Sequence, residues 1–238
     1  MNFSVVPSIT HLNCLPLRHS SFAENLFIGK IEQDFLFPYP SYKNDVNDVN
    51  ELSDSVEKFL DQQVNSKKLD ADRTMDREVL RGLKDMGLFA LSIPEEYGGL
   101  GLNALDFGRI TERALCKDAS VYRVLMNHNM AAEAILNSGS EDQKQKYLPA
   151  MASGDVIGAF CYCESPDGVD AGQIETTADL DIHEENWVLS GEKRAVVNGN
   201  LADIFVVFAK TALLEVDDRT VEKVITLYKY LLSYYFFK

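Results

Sequence analysis

Cysteine is scarce in this chain: four in 238 residues, at positions 14, 116, 161 and 163. Four are too few to staple a chain of this length, so a reducing compartment and a packed apolar core are expected. Cys161 and Cys163 share one face of a strand, but no second pair or neighbouring His completes a zinc set, and no metal site is expected. Apolar runs are short, and none reaches the ~18 residues that would read as a membrane-spanning helix. Basic residues are also few, with Lys+Arg 23 against Asp+Glu 37 and a formal net charge of -14. A chain of that sign repels phosphate backbones, which argues against nucleic acid as a partner. Residues 1–23 contain no Asp or Glu and carry Arg18, His11, His19 and several serines. That composition fits a mitochondrial transit peptide or a disordered tail, and both readings stay open.

Apolar residues make up 46% of the chain, enough for a sizeable core. Residues 24–42 are apolar without a helical period, and Pro38 and Pro40 favour extended backbone, so this stretch is expected as a strap. From Val46 a helical period begins, with Val49, Leu52, Val56, Phe59, Leu60 and Val64 on one face. A second helix is expected from about Asp76, carrying Val79, Leu80, Leu83 and Met86 and ending at Gly87. The glycine-rich EEYGGLGL (95–102) lacks a βαβ context and reads as a tight turn, not a dinucleotide fingerprint. Leu105, Ile110, Ala114 and Leu115 predict a third helix, and Val121, Val124, Leu125, Met130, Ala134 and Ile135 a fourth. Ser140 followed by Gln143 is a capping box opening a fifth, with Pro149 and Gly154 expected to stop it.

After residue 155 the period becomes strand-like. Residues 156–163, 172–180, 186–193 and 203–210 read as β segments separated by turn residues. The fold class is therefore α+β, an all-helical front followed by a β module. The expected divisions are 1–23, the strap 24–45, the helical domain 46–155, a partial β domain 156–211 and an atypical tail 212–238. In that tail Leu213, Val216, Val224, Leu227 and Leu231 could share one helical face, which predicts an appended helix.

Three long segments carry a resemblance. They are LFALSIPEEYGGLGL (88–102), GSEDQKQKYLPAMASG (139–154) and GEKRAVVNGNLADIFVVFAK (191–210). In this order and spacing they resemble the acyl-CoA dehydrogenase family, over about residues 21–211. The strap SFAENLFIGKIEQDFLFPYPS is similar to the start of the mature very-long-chain members and of the relative that helps assemble respiratory complex I. The resemblance implies a helical N-terminal domain followed by an incomplete antiparallel β-barrel domain. It also implies FAD as cofactor, fatty acyl-CoA as substrate, a mitochondrial location in the matrix or at the inner membrane, and electron-transfer flavoprotein or a homo-oligomer as partner of a full-length protein.

The same resemblance selects site residues. Phe160, Cys161, Tyr162, Cys163, Glu164 and Gly168 lie in the segment expected to cross the flavin ring, and Val169 stands where the family contacts substrate. Ala195, Val196 and Val197 form the second expected flavin segment. Cys163 replaces a family Thr, Ala195 a flavin-packing Trp, and Val197 a hydroxyl residue that reaches flavin N5. Read from the residues alone, the first segment is equally a strand entering a turn, and Asn198-Gly199 an ordinary hairpin turn. His128 reads as a helix-packing residue, Glu95 and Glu96 as solvated, and Trp187 as a strand residue. The family's catalytic glutamate belongs to a C-terminal domain with no counterpart here, so no catalytic residue is expected. Two functions follow: a long-chain acyl-CoA dehydrogenase-like protein, truncated and inactive alone, or a non-catalytic interaction or assembly protein or fragment.

Overall fold

The computed structural model describes residues 22–31, 33, 46–164, 174–181, 186–210, 214–216, 219–221 and 224–230. Seven helices lie among them: α1 (Phe22–Phe27), α2 (Val46–Gln63), α3 (Ser66–Asp72), α4 (Arg77–Asp85), α5 (Ala104–Lys117), α6 (Ala119–Ser138) and α7 (Glu141–Ala152). The seven described strands are β1 (Gly158–Cys161), β2 (Thr177–Asp181), β3 (Asn186–Ser190), β4 (Ile204–Lys210), β5 (Leu214–Val216), β6 (Arg219–Val221) and β7 (Val224–Tyr230).

The helix starts are local chemistry. Asn65, Asp76, Asn103, Asp118 and Ser140 each accept backbone N–H groups with a side-chain oxygen at the start of a helix. The capping box is complete: Ser140 Oγ accepts from the Gln143 N–H, and Gln143 Oε1 accepts from the Ser140 N–H at 2.8 Å. The expected stop at Pro149 does not hold, because α7 continues to Ala152. Two helices were not expected from the periodicity. One is α3, and the other is α1, which occupies the front of the expected extended strap. The helical face of α5 is also shifted. Asp106, Ile110, Thr111 and Ala114 are buried there, whereas Leu105 and Leu115 are 45% and 48% exposed.

Two apolar clusters organise the interior. The first joins α2, α4, α5 and α6 through Val56, Leu60, Leu83, Ile110, Ala114 and Leu125. The second joins α6, α7, β1 and β4 through Ala131, Ile135, Leu148, Met151, Ile204 and Val206. The sheet therefore shares a core with the helices. Gly158 makes this contact possible, since a Cβ there would come within 2.7 Å of Ala131 Cβ and 2.8 Å of Met151 Cε.

The expected antiparallel barrel is not what forms. The sheet is open and mixed, in the order β1-β4-β2-β3, with β7 pairing β4 as well. β1 lies parallel to β4, with Gly158 opposite Ile204 and Cys161 opposite Val207. β2 meets β4 in parallel at one residue pair, and β2–β3 and β4–β7 are antiparallel. Period-two patterning reports which face is buried but not strand direction. The long excursion between β1 and β4, which contains the β2–β3 hairpin, is what allows parallel pairing. The expected helix over the tail is also corrected. VITLYKY is strand β7, paired with β4 along its whole length, and β5–β6 form a separate two-stranded ribbon. The segment is rich in β-branched and aromatic residues, which suit a pleated surface, and β4 pairs its backbone along one edge.

Candidate functional site

The two segments singled out from the sequence meet in space. Residues 162–164 leave the end of β1, and residues 191–199 run between β3 and β4. The Arg194 N–H donates to the Cys163 carbonyl at 2.8 Å, and Lys193 Nζ donates to the Tyr162 carbonyl at 3.3 Å. Gly168 and Val169 fall outside the described residues.

β1 sorts its side chains by alternation. Phe160 and Tyr162 both pack on Phe208 of β4, with ring centroids 4.8 and 5.3 Å away. Cys161 is buried. Burial pushes its thiol up to about 12, against the nearby Lys193 charge, so it stays protonated and unreactive. Cys163 is half-buried, and neither cysteine is in a disulfide. Among the described residues no group of His, Cys, Asp or Glu could hold a metal.

Glu164 is the most heavily engaged side chain of the site. Oε2 accepts from the Glu175 N–H at 2.5 Å. Oε1 accepts from the Thr176 N–H at 3.1 Å, from Thr176 Oγ1 at 2.5 Å and from Lys193 Nζ at 2.5 Å. Burial raises the carboxyl, but the bonds from Lys193, Thr176 and the two backbone N–H groups outweigh it and hold the group at about 2.

The second segment has unusual backbone. Ala195 and Asn198 are left-handed, at φ 49° and 65°. Ala195 is exposed, and Val196 and Val197 are half-buried. Asn198-Gly199 is not a hairpin turn. The Asn198 carbonyl accepts from the Leu201 and Ala202 N–H groups, opening a helical turn. The buried Asn198 side chain donates through Nδ2 to the Val124 carbonyl at 3.0 Å and the Gly158 carbonyl at 3.1 Å. The N–H of Gly158 donates in turn to His128 Nδ1 at 3.2 Å. One glycine at the start of β1 is thus gripped by a side chain from α6 and another from the 191–199 loop. His128 is buried against Phe89, and burial lowers its imidazole to about 4 while the backbone of Phe89 and Met151 pulls the other way. The packing role expected for His128 holds, as does the placement of Trp187 in β3, where it packs on the buried pair Ala178 and Ala209. Glu95 and Glu96 are exposed.

Three residues of this constellation carry no mark in the sequence: Thr176, Lys193 and Asn198 as a latch. Each acts on a segment remote from its own, so local patterning is silent about it.

A helical domain joined through a shared core to an open mixed sheet is a fold this chain shares with solved acyl-CoA dehydrogenase structures. The chain belongs to the acyl-CoA dehydrogenase family: the acyl-CoA dehydrogenase N-terminal domain matches residues 47–155, and the middle domain matches residues 159–227. The very long-chain specific acyl-CoA dehydrogenase, mitochondrial, of Homo sapiens is 37% identical over 209 residues, which are 87% of this chain and 32% of that protein. An acyl-CoA dehydrogenase from Bacillus anthracis complexed with FAD superposes with a TM-score of 0.66 at 26% identity, covering 85% of this chain and 34% of that one. A glutaryl-CoA dehydrogenase from Mycobacterium smegmatis in complex with FADH2 gives a TM-score of 0.63 at 27% identity, covering 77% of this chain and 46% of that one. The chain spans about a third of the length of the very long-chain relatives it matches, at 32% for the human protein.

Proposed function

We propose that this chain is an FAD-dependent acyl-CoA dehydrogenase-like protein that acts on long-chain fatty acyl-CoA in mitochondria. The observation that carries the reading is the joining of residues 162–164 to residues 193–194 by the Arg194–Cys163 and Lys193–Tyr162 bonds. These bonds support the reading because they join two segments, remote in sequence, that are expected to share one ligand.

The residues fit a flavin through their backbone. Cys163, Ala195 and Val197 supply neither a strong hydroxyl donor nor an aromatic ring, so backbone groups of residues 162–164 and 195–197 other than the Tyr162, Cys163 and Val196 carbonyls, which are already engaged, would do the holding. When bound, FAD supplies the hydride acceptor. Glu164 is a poor base, since its carboxylate is held at about 2 and already accepts four hydrogen bonds. The α-proton of a thioester would therefore go to a group other than Glu164. A second reading, an interaction or assembly protein on the same scaffold, is favoured by the residues at 163, 195 and 197. Loss of a ring contact and a hydrogen bond weakens binding by about 1–3 kcal/mol together.

A flavin titration separates the two. The purified chain should quench FAD fluorescence and gain a bound-flavin band in the visible spectrum, and palmitoyl-CoA should bleach that band. No quenching at millimolar FAD would leave the interaction protein as the surviving reading.

A further inference from the structure

Glu164 stands among the residues expected to bind the cofactor, and four hydrogen bonds from the protein converge on its carboxylate. Its four bonds join three stretches of chain: the exit of β1, the entry to β2 at Glu175 and Thr176, and the 191–199 loop at Lys193. The joint is extended on both sides. The Lys210 N–H donates to the Thr176 carbonyl at 2.8 Å, which ties β4 in, and Gly191 lies so close that a Cβ there would be 2.5 Å from Thr176 Oγ1. Both charged side chains are largely withdrawn from water, at 14% exposure for Glu164 and 9% for Lys193.

We infer that Glu164 is a positioning residue, whose carboxylate locks the two cradle segments in register through Lys193 and Thr176 and does not itself contact the ligand. The inference rests on the flavin reading above. A buried ion pair costs desolvation and is no efficient way to gain stability over an apolar contact. What it does provide is directional geometry, since Oε1 accepts from three donors and Oε2 from a fourth, each of fixed place. That matters here because the cradle has lost its side-chain donors at 163 and 197. A cradle of backbone groups works only if the two segments are held within hydrogen-bond tolerance of one another. Burial would otherwise favour a neutral acid, and the donors keep the group ionised over the physiological range.

The test is site-resolved hydrogen exchange on the full chain, together with FAD titration. In Glu164→Gln the amides of Glu175, Thr176 and Arg194 should exchange at least ~10-fold faster, the helical amides of α2 and α6 should be unchanged, and FAD affinity should fall at least ~10-fold, in keeping with loss of a charge-assisted bond. Glu164→Asp should recover part of both. Unchanged exchange at those three amides would overturn the inference, and so would faster exchange with unaltered FAD affinity. Should Glu164→Gln fail to fold because Lys193 is left buried and unpaired, the double variant Glu164→Gln/Lys193→Met removes both charges. Wild-type exchange and affinity in that variant would equally overturn it. If the unmutated chain binds no FAD, the flavin reading falls, and the clamp is then decided by the exchange rates alone.

Discussion

Asn198 shows how much a single side chain can carry. Its Nδ2 feeds two buried carbonyls, Val124 on α6 and Gly158 on β1, and its own backbone is left-handed at φ 65°. Asn198→Ala should lose both bonds and force a Cβ-bearing residue without local compensation into left-handed backbone. The expected cost is about 2–4 kcal/mol in a urea titration. Asn198→Gly isolates the latch, because glycine accepts that backbone at no steric penalty. It should recover about 1 kcal/mol of the loss and no more. A glycine variant as stable as the parent would show that the latch contributes nothing. The sequence motif Asn-Gly is legible as a turn, but which turn it makes is decided by what the amide can reach.

At the scale of elements, the contact of α6 with β1 depends on the missing side chain of Gly158. Gly158→Ala would press on Ala131 Cβ at 2.7 Å and on the Met151 methyl at 2.8 Å. Met151 can swing away, but Ala131 moves only with its helix. Overpacking of this kind costs about 1–3 kcal/mol. The double variant Gly158→Ala/Ala131→Gly should recover most of the packing penalty, measured as a double-mutant cycle in thermal melts. A cycle with no coupling would place the strain elsewhere. The elements themselves were differently legible. The capping box of α7 was readable because it is a contact across three residues, whereas α3, capped by Asn65, was too short to show a period. Strand direction, the identity of β7 and the buried face of α5 were not, because each depends on a neighbour distant in sequence.

At the scale of the whole molecule, stability in acid is expected to depend on a group buried between its helical and sheet parts. His128 falls from 6.5 to about 4 in the fold, chiefly by burial. Between those values the unfolded chain binds more protons than the native one, so stability is retained above pH 6.5 and lost as pH drops towards 4. The loss should reach up to about 3 kcal/mol in denaturation curves across that window. His128→Asn, whose amide oxygen can still accept the Gly158 N–H, should flatten this part of the profile. The Glu164 carboxyl, moved from 4.5 to about 2, acts in the same direction at lower pH: its contribution is present above 4.5 and lost below that. A profile that keeps its slope between pH 6.5 and 4 in the Asn variant would show that His128 is not the group responsible.

By itself the sequence determined five of the seven α-helices, the positions of the four strands before residue 211 and the family, because periodicity and linear motifs are encoded within a few residues. Only the tertiary structure decided the rest. It opened the expected barrel into a mixed sheet and turned an expected terminal helix into a strand on β4. It also brought Glu164 its donors, from Glu175, Thr176 and Lys193. A carboxylate's role is set by which donors the fold brings to its two oxygens, and these donors arrive from segments that no local pattern relates.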